Sequence, residues 1–110
     1  LHLWATWCVP CLEEIPVLDG VATTYKDKGV TVLALSLDGK NAQKVHDFYA
    51  KHSIKTLPVY FDYQMKTFRS LKFKGLPASI FIDGHGREIA RIDGPADWDS
   101  AEVKKLLEVK

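Results

Sequence analysis

The sequence predicts an α/β protein built from alternating strands and helices, and three features carry that reading. Apolar residues recur at helical spacing after Cys11, Val30 to Leu37 is a nearly continuous apolar run, and Gly84-His85-Gly86 separates two strand-like segments. The first is the signature of a one-sided helix, the second of a strand buried on both faces of a parallel sheet, and the third of a hairpin. With 110 residues, 46% apolar and 26% charged, the chain has the size and composition of one domain over 1–110. A core of that size needs no disulfide scaffold.

Residues 1–5 read as a short strand that opens abruptly on Leu1, which is the expectation for a chain whose upstream sequence has been removed. From Cys11 to about Lys26, Ile15, Leu18, Ala22 and Tyr25 recur every three or four residues, with Pro16 inside the helix. A proline there removes one backbone hydrogen bond and crowds the preceding turn, so a kink is expected between Leu12 and Pro16. After Gly29 comes the Val30 to Leu37 strand, then a helix over about Asn41 to His52 with Asn41 as its N-cap and Ala42, Val45, Phe48, Tyr49 and His52 on one face. Leu57 to Phe61 is a third strand-like run, and a short helix is expected around Phe68 and Leu71. Ala78 to Asp83 and Glu88 to Asp93 form the hairpin, and a last helix carries Val103, Leu106 and Leu107, with Asp99 and Glu102 as an approximate capping box. The alternation implies right-handed crossovers and helices on both faces of the sheet.

Fifteen basic and fourteen acidic residues leave a net charge of +1. No basic stretch is long enough to neutralise a phosphate backbone, so nucleic acid is not an expected partner. No apolar run approaches the roughly 20 residues that span a bilayer.

Cys8 and Cys11 are the only cysteines, at a strand-to-helix junction in C-x-x-C spacing. A zinc site needs four ligands, and His2, His46, His52 and His85 are scattered, so no metal is assigned. A structural disulfide closing so short a loop stabilises little, and haem attachment would want His where Leu12 stands. A redox dithiol remains, and it needs no cofactor. Cys8 would sit at a helix N-terminus, where unpaired N–H groups and the macrodipole favour the thiolate. A pKa drop from about 8.5 to about 7 raises the thiolate fraction at neutral pH about 15-fold but lowers intrinsic nucleophilicity about 5-fold. The larger gain is that Cys8 becomes a better leaving group, which lets Cys11, one turn inward and more buried, resolve a mixed disulfide.

Trp4-Ala5-Thr6-Trp7-Cys8-Val9-Pro10-Cys11 resembles the thioredoxin superfamily, whose signature is W-C-x-x-C after the first core strand. Glu14 and Pro16 complete C-x-x-C-x-x-E-x-P, similar to the TlpA-like branch that contains the ResA type of thiol-disulfide oxidoreductase. Gly75-Leu76-Pro77-Ala78 is similar to the segment carrying that family's cis-proline, whereas Leu57-Pro58-Val59 looks alike only locally. The resemblance implies a thioredoxin-like fold with a central mixed sheet, core order second, first, third, fourth, and the last strand antiparallel to the one before it. It implies Cys8, Cys11, Glu14 and Pro77 as catalytic residues, with Glu14 taking up the Cys11 proton. Trp7, Val9, Pro10 and Leu76 would bind substrate, the backbone of Leu76 pairing with a substrate peptide.

Family members are generally extracytoplasmic reductants, periplasmic or membrane-tethered. The implied partners are therefore a protein disulfide, apocytochrome c among the options, and a membrane dithiol carrier as electron donor, with the chain working as a monomer. Thioredoxins proper carry an Asp six positions before the first cysteine, where His2 stands here. His2 is read either as a packed strand histidine or as a second titrating group near Cys11. Two further readings stay open at this point: a disulfide-donating oxidase, and a non-catalytic docking or metal-carrier module. A peroxidase of the peroxiredoxin type fits poorly, because Ala5 stands where its threonine is expected.

Overall fold

The computed structural model describes residues 1–109. Its elements run β1 (His2–Trp4), α1 (Val9–Tyr25), β2 (Ala34–Ser36), α2 (Ala42–Lys51), β3 (Tyr60–Phe61), α3 (Lys66–Ser70), β4 (Ala78–Ile82), β5 (Glu88–Asp93) and α4 (Ala101–Glu108). The five strands form one mixed sheet in the order β3-β2-β1-β4-β5. The expected core order is present, and β3 extends it at the edge beyond β2. Parallel pairing joins β1 to β2 and β2 to β3, while β4 is antiparallel to both β1 and β5. Successive strand residues point to opposite faces, yet His2, Leu3 and Trp4 are all buried, as are Ala78 to Phe81, so both faces of the central strands are covered.

The second strand is shorter than its apolar run. Ladder pairing is limited to Ala34–Ser36 because β1 offers only three partner residues, and Thr31 and Leu33 are exposed. The Leu57 to Phe61 run likewise contracts to Tyr60–Phe61. The backbone N–H groups of Lys55, Thr56 and Leu57 donate instead to the Asp19 carboxylate of α1, which holds this segment outside the ladder.

Helix α1 starts two residues before its apolar period does. Val9 and Pro10 fit its first turn, where the N–H that proline lacks has no intrahelical partner. It runs through Pro16 as one element and buries Cys11, Glu14, Ile15, Leu18 and Ala22 along one stripe. A short 3-10 turn over Lys26–Lys28 and the left-handed Gly29 (φ 82°) end it. Asn41 occupies the N-cap position of α2 without a side-chain cap bond. The cap of α4 is Ser100, whose side chain accepts from the Val103 N–H, and not the expected Asp99. Asp99 instead donates its backbone N–H to Asp97. The core is anchored by Trp4, stacked on Tyr49 at 6.1 Å and packed on Phe48 at 5.6 Å between ring centroids.

Candidate active site

The site lies at the C-terminal end of β1. After Trp4 the chain turns through Ala5–Trp7, the Cys8 N–H donating to Ala5 O, and Cys8 becomes the N-cap residue of α1 with extended φ/ψ. Its carbonyl accepts from the N–H groups of Cys11 and Leu12, which places its side chain at the positive end of a 17-residue helix. Cys8 and Cys11 are joined as a disulfide with their Cα atoms 5.3 Å apart. Cys8 keeps 7% exposure and Cys11 none, so of the two residues only Cys8 reaches solvent.

A second carboxylate fixes the turn that leads into Cys8. Asp38, buried just after β2, accepts from the Thr6 N–H, the Thr6 hydroxyl and the Ser36 hydroxyl. No motif marked it. Asp38→Ala is expected to leave these donors unpaired and to cost about 2–3 kcal/mol of stability, measured as a lower urea midpoint with an unchanged slope.

The Leu76–Pro77 peptide bond is cis, and Pro77 is buried. Since Leu3 pairs with Ala78 in antiparallel register, Pro77 comes level with Trp4 at the end of the sheet where the Cys8 turn begins. The Pro77 carbonyl accepts from Gly94. Around this end Trp7 is 64% and Val9 69% exposed, Pro10 is exposed and Leu76 half-buried. Trp7 therefore does not cover the helix start as a packed side chain.

Glu14 is buried on the same stripe of α1 as Cys11. Its Oε2 accepts from the Ala96 N–H at 3.1 Å. Burial pushes its pKa up; the Ala96 bond opposes this, as does the Trp98 indole N–H, which faces the carboxylate without regular hydrogen-bond geometry. His2 Nε2 lies 3.4 Å from Glu14 Oε1, and His2 Nδ1 lies 2.8 Å from Ser79 Oγ. Burial pushes the His2 pKa down to about 3. The Trp98 ring packs edge-on to His2 and against Phe81, roofing the pair. Ser79, Ala96 and Trp98 come from remote segments and carried no signal in the sequence.

The His2 shift has a sign that stability measurements read. An unfolded chain binds a proton on His2 below about pH 6.5 while the folded one does not, so stability is present above that pH and lost as pH falls toward 3. The loss approaches about 1.4 kcal/mol per pH unit. Glu14, raised, works in the opposite direction. His2→Gln is therefore expected to lose less stability than the parent between pH 7 and pH 4 in urea titrations.

His46, His52 and His85 do not join the site; His52 packs on Phe48 at 4.3 Å. Among the described residues no three His, Cys, Asp or Glu side chains converge as a metal site, and no helix is long and apolar enough to cross a membrane.

A C-x-x-C disulfide at the head of the first helix of a β3-β2-β1-β4-β5 sheet, with a cis-proline at the same end, defines a dithiol–disulfide protein of the thioredoxin-like class. Within that class the chain belongs to the Redoxin family, whose sequence profile it matches over residues 1–109. It is 34% identical over 108 residues to the thiol-disulfide oxidoreductase ResA of Bacillus anthracis, an alignment covering 96% of this chain and 61% of that protein. The chain thus spans about three fifths of the length of such relatives. Among solved structures it is similar to a thiol:disulfide interchange protein DsbE of Chlorobium tepidum, with TM-score 0.81, 30% identity, and coverage of 96% of this chain and 73% of that one. It is also similar to an exposed lipoprotein thioredoxin of Streptococcus pneumoniae, with TM-score 0.80, 27% identity, and coverage of 98% and 82%.

Proposed function

We propose that this chain is a thiol-disulfide oxidoreductase that reduces disulfides of partner proteins outside the cytoplasm. The observation that carries the reading is the asymmetry of the pair: Cys8, which keeps a sliver of exposure at the α1 N-terminus, bonded to a fully buried Cys11, with Glu14 three residues on. In the reduced protein the Cys8 thiolate attacks one sulfur of a substrate disulfide and the other sulfur leaves as a thiolate. Cys11 gives its proton to Glu14 and attacks Cys8, expelling the second substrate thiolate. Two electrons have passed to the substrate, and Cys8–Cys11 is oxidised.

Trp7, Val9, Pro10 and Leu76 form the apolar rim on which a protein substrate docks, and the Leu76 backbone beside cis-Pro77 pairs with its extended chain. Glu14 and Pro77 are thus assigned to the chemistry along with the cysteines. The extracytoplasmic setting is supported by the exposed lipoprotein among the similar structures. Apocytochrome c is the substrate class this reading favours, and a membrane dithiol carrier its electron source, with the chain acting as a monomer. The test mixes the fully reduced protein with an oxidised C-x-x-C-H peptide and counts alkylated thiols by mass. Two thiols should appear on the peptide for every two lost from the protein; no transfer would remove the reading, and a separate mixture of oxidised protein with reduced peptide that runs to completion would make the protein a disulfide donor.

A further inference from the structure

We propose that His2 is a positioning residue for Glu14: its Nε2–H donates to Glu14 Oε1 while the Ser79 hydroxyl donates to Nδ1, so the imidazole sets the orientation and proton affinity of the carboxylate. This rests on the reading of Glu14 as the proton acceptor for Cys11.

The geometry begins with sheet register. His2 of β1 pairs with Ser79 of β4, so their side chains stand on one face, and Nδ1 lies 2.8 Å from the hydroxyl. The ring thereby carries Nε2 to 3.4 Å from Glu14 Oε1, short of regular hydrogen-bond geometry. His2, Ser79 and Glu14 are all buried. Among the described residues, His2 Nε2, Glu14 Oε1 and the Trp98 indole N–H are buried without a regular hydrogen-bond partner, and of these Nε2 and Oε1 lie 3.4 Å apart in a water-poor interior.

Charge then selects the tautomer. Burial keeps the imidazole neutral, so it carries one N–H. With the proton on Nδ1, a lone pair would face an ionised carboxylate oxygen; with the proton on Nε2, that contact becomes a donated hydrogen bond and Ser79 supplies the donor for Nδ1. The ionised Glu14 therefore selects the Nε2–H form. When Cys11 loses its proton, the thiol becomes a thiolate and the carboxylate a carboxylic acid. His2 is neutral before and after, and Nε2–H continues to donate to the carboxyl oxygen.

The groups around the pair come from three sides: Cys11 from α1, Ser79 from β4, and the Trp98 ring and the Ala96 N–H from the segment before α4. A donated N–H favours the charged carboxylate and offsets its burial. Without it Glu14 retains its proton to higher pH and is less available to accept one at neutrality.

The experiment follows single-turnover resolution, by Cys11, of a mixed disulfide between Cys8 and a model peptide as a function of pH. His2→Leu is expected to move the profile alkaline by about one pH unit. His2→Gln, which keeps an N–H donor near the Nε2 position, is expected to restore it, and His2→Leu should add no shift in a Glu14→Gln background. A His2→Leu profile identical to the parent, with Glu14→Gln shifted, would overturn the role of His2 and leave that of Glu14 standing. An unshifted Glu14→Gln would remove the Glu14 reading, and this proposal with it. A readout that needs no substitution is the 15N spectrum of the ring in the parent protein. It should show a protonated Nε2, a bare Nδ1 and no titration between pH 5 and pH 8; an Nδ1–H tautomer would contradict the proposal.

Discussion

Cys11→Ser is expected to turn the protein from an exchanger into a trap, and Cys8→Ser to remove exchange altogether. Both follow from unequal access. Cys8 is the cysteine nearer solvent and at the helix N-terminus, so it attacks an external disulfide, and serine at that position leaves a fully buried Cys11 with no route to substrate. Turnover should fall on the order of a thousandfold or more. Serine at position 11 leaves the first attack intact and removes the second, so the mixed disulfide between Cys8 and the partner accumulates and is recovered on a non-reducing gel. Capture by Cys8→Ser, and none by Cys11→Ser, would reverse the assignment of attacking and resolving thiols.

Glu14→Gln is expected to slow resolution at pH 7 by about a hundredfold, the lower end of what a positioned acid or base contributes. Attack by Cys8 should be unaffected, so the loss appears in the second step, where Cys11 must surrender its proton to water. The same substitution is expected to raise stability at neutral and alkaline pH. A buried carboxyl whose pKa is raised on folding contributes stability that is fully present below its unfolded pKa and lost as pH rises through the folded one. Glutamine never ionises, and it retains an acceptor for the Ala96 N–H. A slower but more stable variant is what a group placed for chemistry at the expense of packing should give; a slower and less stable one would mark Glu14 as structural.

What the sequence made legible is what sits close together along the chain. The cysteine spacing, Glu14 one turn beyond Cys11, and the hairpin around Gly84-His85-Gly86 are local patterns, and each is found where its period placed it. Cis-Pro77 came from the family resemblance, because Pro58 sits in a similar local context. The rest depended on pairing across long separations. Glu14 meets Ala96 82 residues away, His2 meets Ser79 77 away, and Asp38 holds Thr6 32 away. None of those partners has a composition that marks it. The Val30 to Leu37 run failed for a related reason: an apolar stretch forms a ladder only as far as its neighbour reaches, and β1 ends after three residues. Ser100 outcompeted Asp99 as the α4 cap because its hydroxyl meets the Val103 N–H, a difference of one residue that spacing rules do not resolve.

Cys8 and Cys11 are proposed to form a reducing couple. Equilibrating the protein in graded thiol redox buffers and counting alkylatable cysteines by mass tests it most directly. Both cysteines should disappear together in one two-electron transition at or below about −250 mV, the range of thioredoxin-type reductants. A midpoint near −120 mV, the range of disulfide donors, or no intramolecular disulfide at any poise, would contradict it.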